Sequence, residues 1–133
     1  MDRDEQNVMT VYESWFRAME AGDVQTALEL VTDDVVFKGP GGPAVLGKEA
    51  LRTTLEAFHA SVNEKVSFEV QEVVVVGDWA YARVAEQATL QPKAGGDPVK
   101  ASGLHLSILR HDDQHGWRIA RELSSLDGEA TTT

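Results

Sequence analysis

The chain contains no cysteine. Disulfides, thiolate nucleophiles and cysteine-ligated metals are therefore excluded together. Positive charge is scarce: 12 Lys and Arg stand against 22 Asp and Glu, a formal net charge of -10. Such a surface repels nucleic acid and anionic lipid, and we expect neither as a partner. No apolar run is long enough to cross a bilayer, and the opening "MDRDEQNVMT" has no apolar core of a signal peptide, so a cytoplasmic location is the expectation. Aromatic residues make up only 7% of the chain, but 42% of its 133 residues are hydrophobic, enough for one domain with a real core.

The first half reads as helical. Val8, Val11, Tyr12, Trp15, Phe16 and Met19 recur at spacings of three and four between Asp4 and Ala21, which makes one apolar stripe that Gly22 ends. Asp23 has the chemistry of a helix N-cap, with Val24, Ala27, Leu28 and Val31 marking a short second helix before "TDD". "VVFK" reads as a strand that "GPGGP" stops, and Lys48 to about Ser61 reads as a third helix.

From Val66 onward β-branched residues alternate with turn signals. "VSFEVQEVVVV", "WAYARVAEQATL", "VKASGLHLSILR" and "WRIARELSS" read as four strands joined by hairpin-like turns, and the polar residues 127–133 as a flexible tail. Helices first and a meander afterwards predict a single α+β domain spanning 1–133. Its expected form is a curved antiparallel sheet packed on three N-terminal helices and enclosing a pocket.

Four motifs in this order, "YESWFRAMEAGDVQTALELVTDDVVF", "GKEAL", "GDWAYARV" and "HGWRIARELSS", resemble the nuclear transport factor 2-like superfamily, which includes ketosteroid isomerases, SnoaL-like polyketide cyclases and SgcJ/EcaC-type proteins. The resemblance implies a cone-shaped barrel with an internal pocket and a homodimer formed through the sheet. It does not imply one chemistry, because this fold carries many. The position of the isomerase general base is Gly39, that of the isomerase Tyr is Trp15, and that of the second Asp falls near Ile108 or Leu109. Isomerase chemistry of that type is therefore not expected, nor does any motif bind a nicotinamide or a flavin.

Candidate catalytic residues are Arg83, His105 and Glu122. The resemblance and the strand period of two put Arg83 and Gln87 on a concave face with Glu86 outside, where a guanidinium could hold a developing oxyanion and Gln87 orient it. His105 could move protons near neutral pH. If Leu104, Leu106 and Ile108 line the pocket, however, His105 points into an interface or solvent. Glu122 could be a base or a partner of Arg83, with Arg121 on the opposite face. Tyr12, Trp15 and Met19 would wall the ligand site or simply pack the core. "HDDQHG" imitates a metal site but reads more simply as a hairpin tip, and His59 reads as a cation at a helix C-terminus.

Two functions fit: a cofactor-independent, metal-free enzyme acting on a small apolar carbonyl or polyketide-like compound, or a non-catalytic binding or dimerisation module. The apolar content of "VQEVVVV" on a sheet face also points to a homodimer through the sheet.

Overall fold

A computed structural model describes residues 2–131, with the side chains of 126–131 left aside. Three helices precede and flank a six-stranded sheet: α1 Arg3–Ala21, α2 Val24–Glu29, β1 Val31–Lys38, β2 Val45–Leu46, α3 Lys48–Ser61, β3 Val62–Val76, β4 Trp79–Pro92, β5 Val99–Asp112 and β6 Gly116–Thr131.

The helix boundaries follow their local chemistry. Asp2 accepts a hydrogen bond from the Glu5 amide at 2.9 Å and so caps α1, while Gly22, at φ 68°, supplies the left-handed residue that ends it. Asp23 caps α2 by accepting from the Thr26 amide at 3.1 Å. The stripe of α1 faces the sheet as its spacing requires, burying Val8, Val11, Tyr12, Trp15 and Phe16. Each large apolar side chain removed from water there stabilises the fold by roughly 1.5–3 kcal/mol.

The strand order is β2-β1-β6-β5-β4-β3. The meander β3 to β6 is antiparallel throughout, but β1 runs parallel to β6, so the sheet is mixed and not wholly antiparallel as expected. β1 also starts at Val31, which the sequence spacing assigns to the second helix, and runs on through the acidic "TDD". Val31 pairs with Ile119, and the register shifts before Val36 pairs with Arg121, so an irregularity in the strand absorbs the polar residues. Backbone pairing of β6 extends through the expected tail as far as Thr131, opposite Lys100, while Thr132 and Thr133 lie outside the described residues.

One face of the sheet packs on α1. Along β4 that face carries Ala80, Ala82 and Val84, all buried, and then Glu86. Along β5 it carries Gly103, His105, Ser107 and Leu109. The other face carries the bulky residues: Tyr81, Leu104, Leu106, Ile108 and Leu123 remain between 37% and 55% exposed. Ala80, Ala82 and Val84 join the same buried core as the apolar stripe of α1.

Candidate functional site

Three strands bring a charged cluster onto the inner face. His105 sits between two carboxylates: it donates through Nδ1 to Glu122 at 2.7 Å and through Nε2 to Glu86. Ser107, directly opposite Glu122 in the register, donates its hydroxyl to the second oxygen of Glu122. From above, the Phe16 ring meets the His105 ring edge-on at 6.0 Å and stacks on Phe68 at 4.6 Å. The Tyr12 hydroxyl is buried near Ser107 and Glu122 without the geometry of a formed hydrogen bond.

Two opposed effects set the state of His105. Burial alone favours neutral imidazole, but the hydrogen bonds and charges of Glu122 and Glu86 outweigh it and raise the pKa to about 10. His105 is thus an imidazolium at neutral pH, and both of its N–H groups are engaged. Burial, and next the charge of Glu122, push the Tyr12 phenol far above its usual range.

A third carboxyl reaches the cluster from the edge strand. Glu64 projects inward from β3, where burial first, and then the charges of Glu86 and Glu20, raise its pKa to about 7, with His105 acting in the opposite sense. Glu64 also lines a cleft of about 360 Å³ at the end of the sheet, together with Met19, Glu20, Val24, His59 and Lys93. The cleft therefore leads to a carboxyl that is coupled electrostatically to the inner cluster.

The residues singled out in the sequence separate on this frame. His105 and Glu122 come together, and Glu122 does face inward with Arg121 exposed on the other side. Arg83 does not join them. It projects from the outer face, where its side chain is 52% exposed and donates to Glu72 at 2.8 Å and to Gln71 at 3.2 Å. The expected orientation of β4 is thus reversed: Arg83 and Gln87 lie outside, and Glu86 lies inside. Gln87 lines a separate outer groove with Lys65 and Lys100. The physical reason is packing: Ala80, Ala82 and Val84 are buried in the core on the inner face, whereas Trp79, Tyr81 and Arg83 stay exposed on the outer one.

Trp15 packs on Phe37 at 5.4 Å and Tyr12 is 2% exposed, so both belong to the core, whereas Met19 borders the cleft. Gly39 faces Ser124, while Ile108 is exposed and Leu109 is fully buried, so none of them supplies an acid. In the "HDDQHG" tip Asp112 accepts from the amides of Gln114 and His115 at 2.9 and 2.7 Å, which is turn chemistry. His59 is buried, and burial followed by the charge of Lys93 lowers its pKa, so it does not serve as the cation at the end of α3.

Glu64, Glu86 and Ser107 went unrecognised in the sequence. One signal was present: "ALA-type" small residues alternate along β4 up to Glu86, so a carboxyl follows Ala80, Ala82 and Val84 on the face that a helix can approach.

Residues 12–120 match the SnoaL-like domain family. A conserved protein from Planctomyces limnophilus is 31% identical, with 93% of this chain and 96% of that one covered at a TM-score of 0.88. A ketosteroid isomerase-like protein from Erwinia carotovora is 28% identical, with 97% and 100% covered at 0.89. ActVI-ORFA of Streptomyces coelicolor shares the fold at 17% identity, 90% and 94% coverage and a TM-score of 0.75. No curated protein matches the chain.

Proposed function

Because the chain belongs to the SnoaL-like domain family, we propose that its inner cluster is a cofactor-independent acid–base site for a small, largely apolar carbonyl compound. The observation that carries this reading is the pairing of two glutamates in unlike surroundings. Glu86 is tied to the His105 imidazolium, whereas Glu64 holds its proton up to about pH 7. One carboxyl paired with a cation and a second pushed toward its protonated form by burial are what proton transfer beside a carbonyl needs.

In this scheme Glu86 takes the proton from the carbon next to the carbonyl, and Glu64 gives its own proton to the oxygen where charge develops. His105, Glu122 and Ser107 do not exchange protons with the substrate. They hold Glu86 in place as a connected polar network. Met19 and Val24 would contact the apolar body of the substrate in the cleft.

The test is a thermal-shift and turnover screen against small ketones, hydroxyketones and polyketide-like compounds, with Glu64→Gln alongside. A ligand that stabilises both proteins but is turned over only by wild type supports the scheme. Turnover by Glu64→Gln at the wild-type rate would eliminate Glu64 as the acid.

A second reading is a non-catalytic binding module. It is favoured by the saturation of both His105 nitrogens and by Phe16 and Phe68 packed over the cluster. Ligand binding with no chemical change across the screen would select it. In either case we propose a homodimer through the outer face, where Tyr81, Leu104, Leu106, Ile108 and Leu123 form an exposed apolar patch.

A further inference from the structure

The cleft of about 360 Å³ lies where two helices end: Met19, Glu20 and Ala21 come from the last turn of α1, and Glu56, His59 and Ala60 from the end of α3. Helix C-termini present unsatisfied carbonyl groups and partial negative charge. α1 has no basic residue in its last turn, and the corresponding residue of α3 is His59. Glu20, Glu56 and Glu64 add carboxyl groups against the single ammonium of Lys93. Carboxyl groups thus outnumber ammonium groups around the cleft by three to one.

A second, independent feature points to a ligand. His59 is 9% exposed, yet neither ring nitrogen has a hydrogen-bond or ion-pair partner among the described residues. The ring lines the cleft, against Gly22 at 3.9 Å from a Cβ built there, with Phe58 packed edge-on at 5.2 Å. The ring is mostly buried but its nitrogens are not sealed off, so the neutral imidazole offers the cleft a free acceptor. Apolar contacts are available beside it from Met19, Val24 and Val62.

We propose that this cleft binds a small protonated amine, with the ammonium group donating to the neutral His59 ring and the Glu64 carboxylate and the alkyl part lying against Met19, Val24 and Val62. Three donors on an ammonium match acceptors on His59 of α3, Glu64 of β3 and Glu20 of α1, all of which line the cleft. Lys93 is the resident competitor. It is exposed, its backbone amide is anchored on the Ser61 carbonyl at 2.9 Å, and its side chain borders the same cleft. The site shares Glu64, Met19 and Val24 with the acid–base reading, but binding of an amine there does not require that the inner cluster turn anything over.

Binding is also linked to protons. The charged and titratable groups around Glu64 are Glu20 on α1, Glu56 and His59 on α3, Glu86 on β4, Lys93 after β4 and His105 on β5. With Glu64 titrating at about 7, an amine that prefers the carboxylate displaces its proton, and the affinity rises about tenfold between pH 6 and 8. His59, whose pKa is lowered by burial, works in the same sense because acid removes its free acceptor.

The experiment is calorimetric or NMR titration of the full chain with butylammonium, 1-butanol and butyrate at pH 6 and 8. The expected result is binding of butylammonium alone, tighter by about tenfold at the higher pH, with the pH dependence lost in Glu64→Gln and the affinity increased in Lys93→Met. Equal binding of 1-butanol would overturn the proposal, as would a butylammonium affinity unchanged by both substitutions. Neither result bears on turnover by the inner cluster, so the two ideas fail separately.

Discussion

The state of His105 can be tested through stability. Its pKa rises from 6.5 to about 10 on folding because Glu122 and Glu86 bind the charged ring more strongly than burial opposes it. A folded-state pKa above the unfolded one means that the stabilisation is complete below pH 6.5 and disappears as the pH climbs toward 10. Linkage between those two values removes about 3 kcal/mol between pH 6.5 and 9. Urea denaturation of Glu64→Gln and of Glu64→Gln/His105→Gln across this range isolates the effect, since Glu64, whose own titration near 7 feels His105, is absent from both. The variant should be less stable at every pH, because Glu122 is only 8% exposed and loses its cationic partner. The decisive quantity is the gap between the two proteins, which should shrink by about 3 kcal/mol from pH 6.5 to 9. A constant gap would refute the clamped imidazolium.

Arg83→Ala should leave ligand binding and turnover unchanged and cost no more than about 1 kcal/mol, the ordinary range of an exposed ion pair, as read by thermal denaturation. Gly103→Ala places a Cβ 2.8 Å from the Ser125 carbonyl oxygen and beside Glu86, so it should lower the denaturation free energy by about 1–3 kcal/mol through overpacking. Leu106→Asp, opposite Leu123 in the register, should convert a dimer to a monomer in sedimentation at micromolar concentration while the far-UV circular dichroism is retained. A wild-type monomer at that concentration would end the dimer proposal.

The helices were legible in the sequence because their signals are local. Gly22 and Asp23 punctuate α1 and α2 by backbone chemistry that needs no tertiary partner, and the apolar stripe of α1 has one possible destination. The parallel pairing of β1 with β6 was not legible, since it joins residues about 85 positions apart, such as Phe37 and Glu122, and no turn records it. The face of β4 was misread and that of β5 left open for a physical reason. On β5 the uniformly apolar set, Leu104, Leu106 and Ile108, faces outward, while Gly103, His105 and Ser107 face the helices. A polar set that satisfies itself internally reverses the usual inside-outside rule, and period two cannot tell one face from its mirror. Glu64 was missed because its state depends on charges from α1, β4 and β5 that only folding brings together.

The two borders of the sheet are guarded by different means. On one side β2 consists of Val45 and Leu46 alone, too short a template for another chain to extend. On the other, β3 is long, and the Glu20 carboxylate reaches across from α1 to accept the Val66 amide at 2.8 Å. That side chain occupies a rung where a foreign strand would have to bond, and it brings a negative charge that an arriving peptide carbonyl would meet head-on. A residue at the rim of a ligand cleft thereby doubles as a guard against fibrous self-association, so a change at Glu20 made for the sake of binding would also alter how long the protein stays in solution at high concentration.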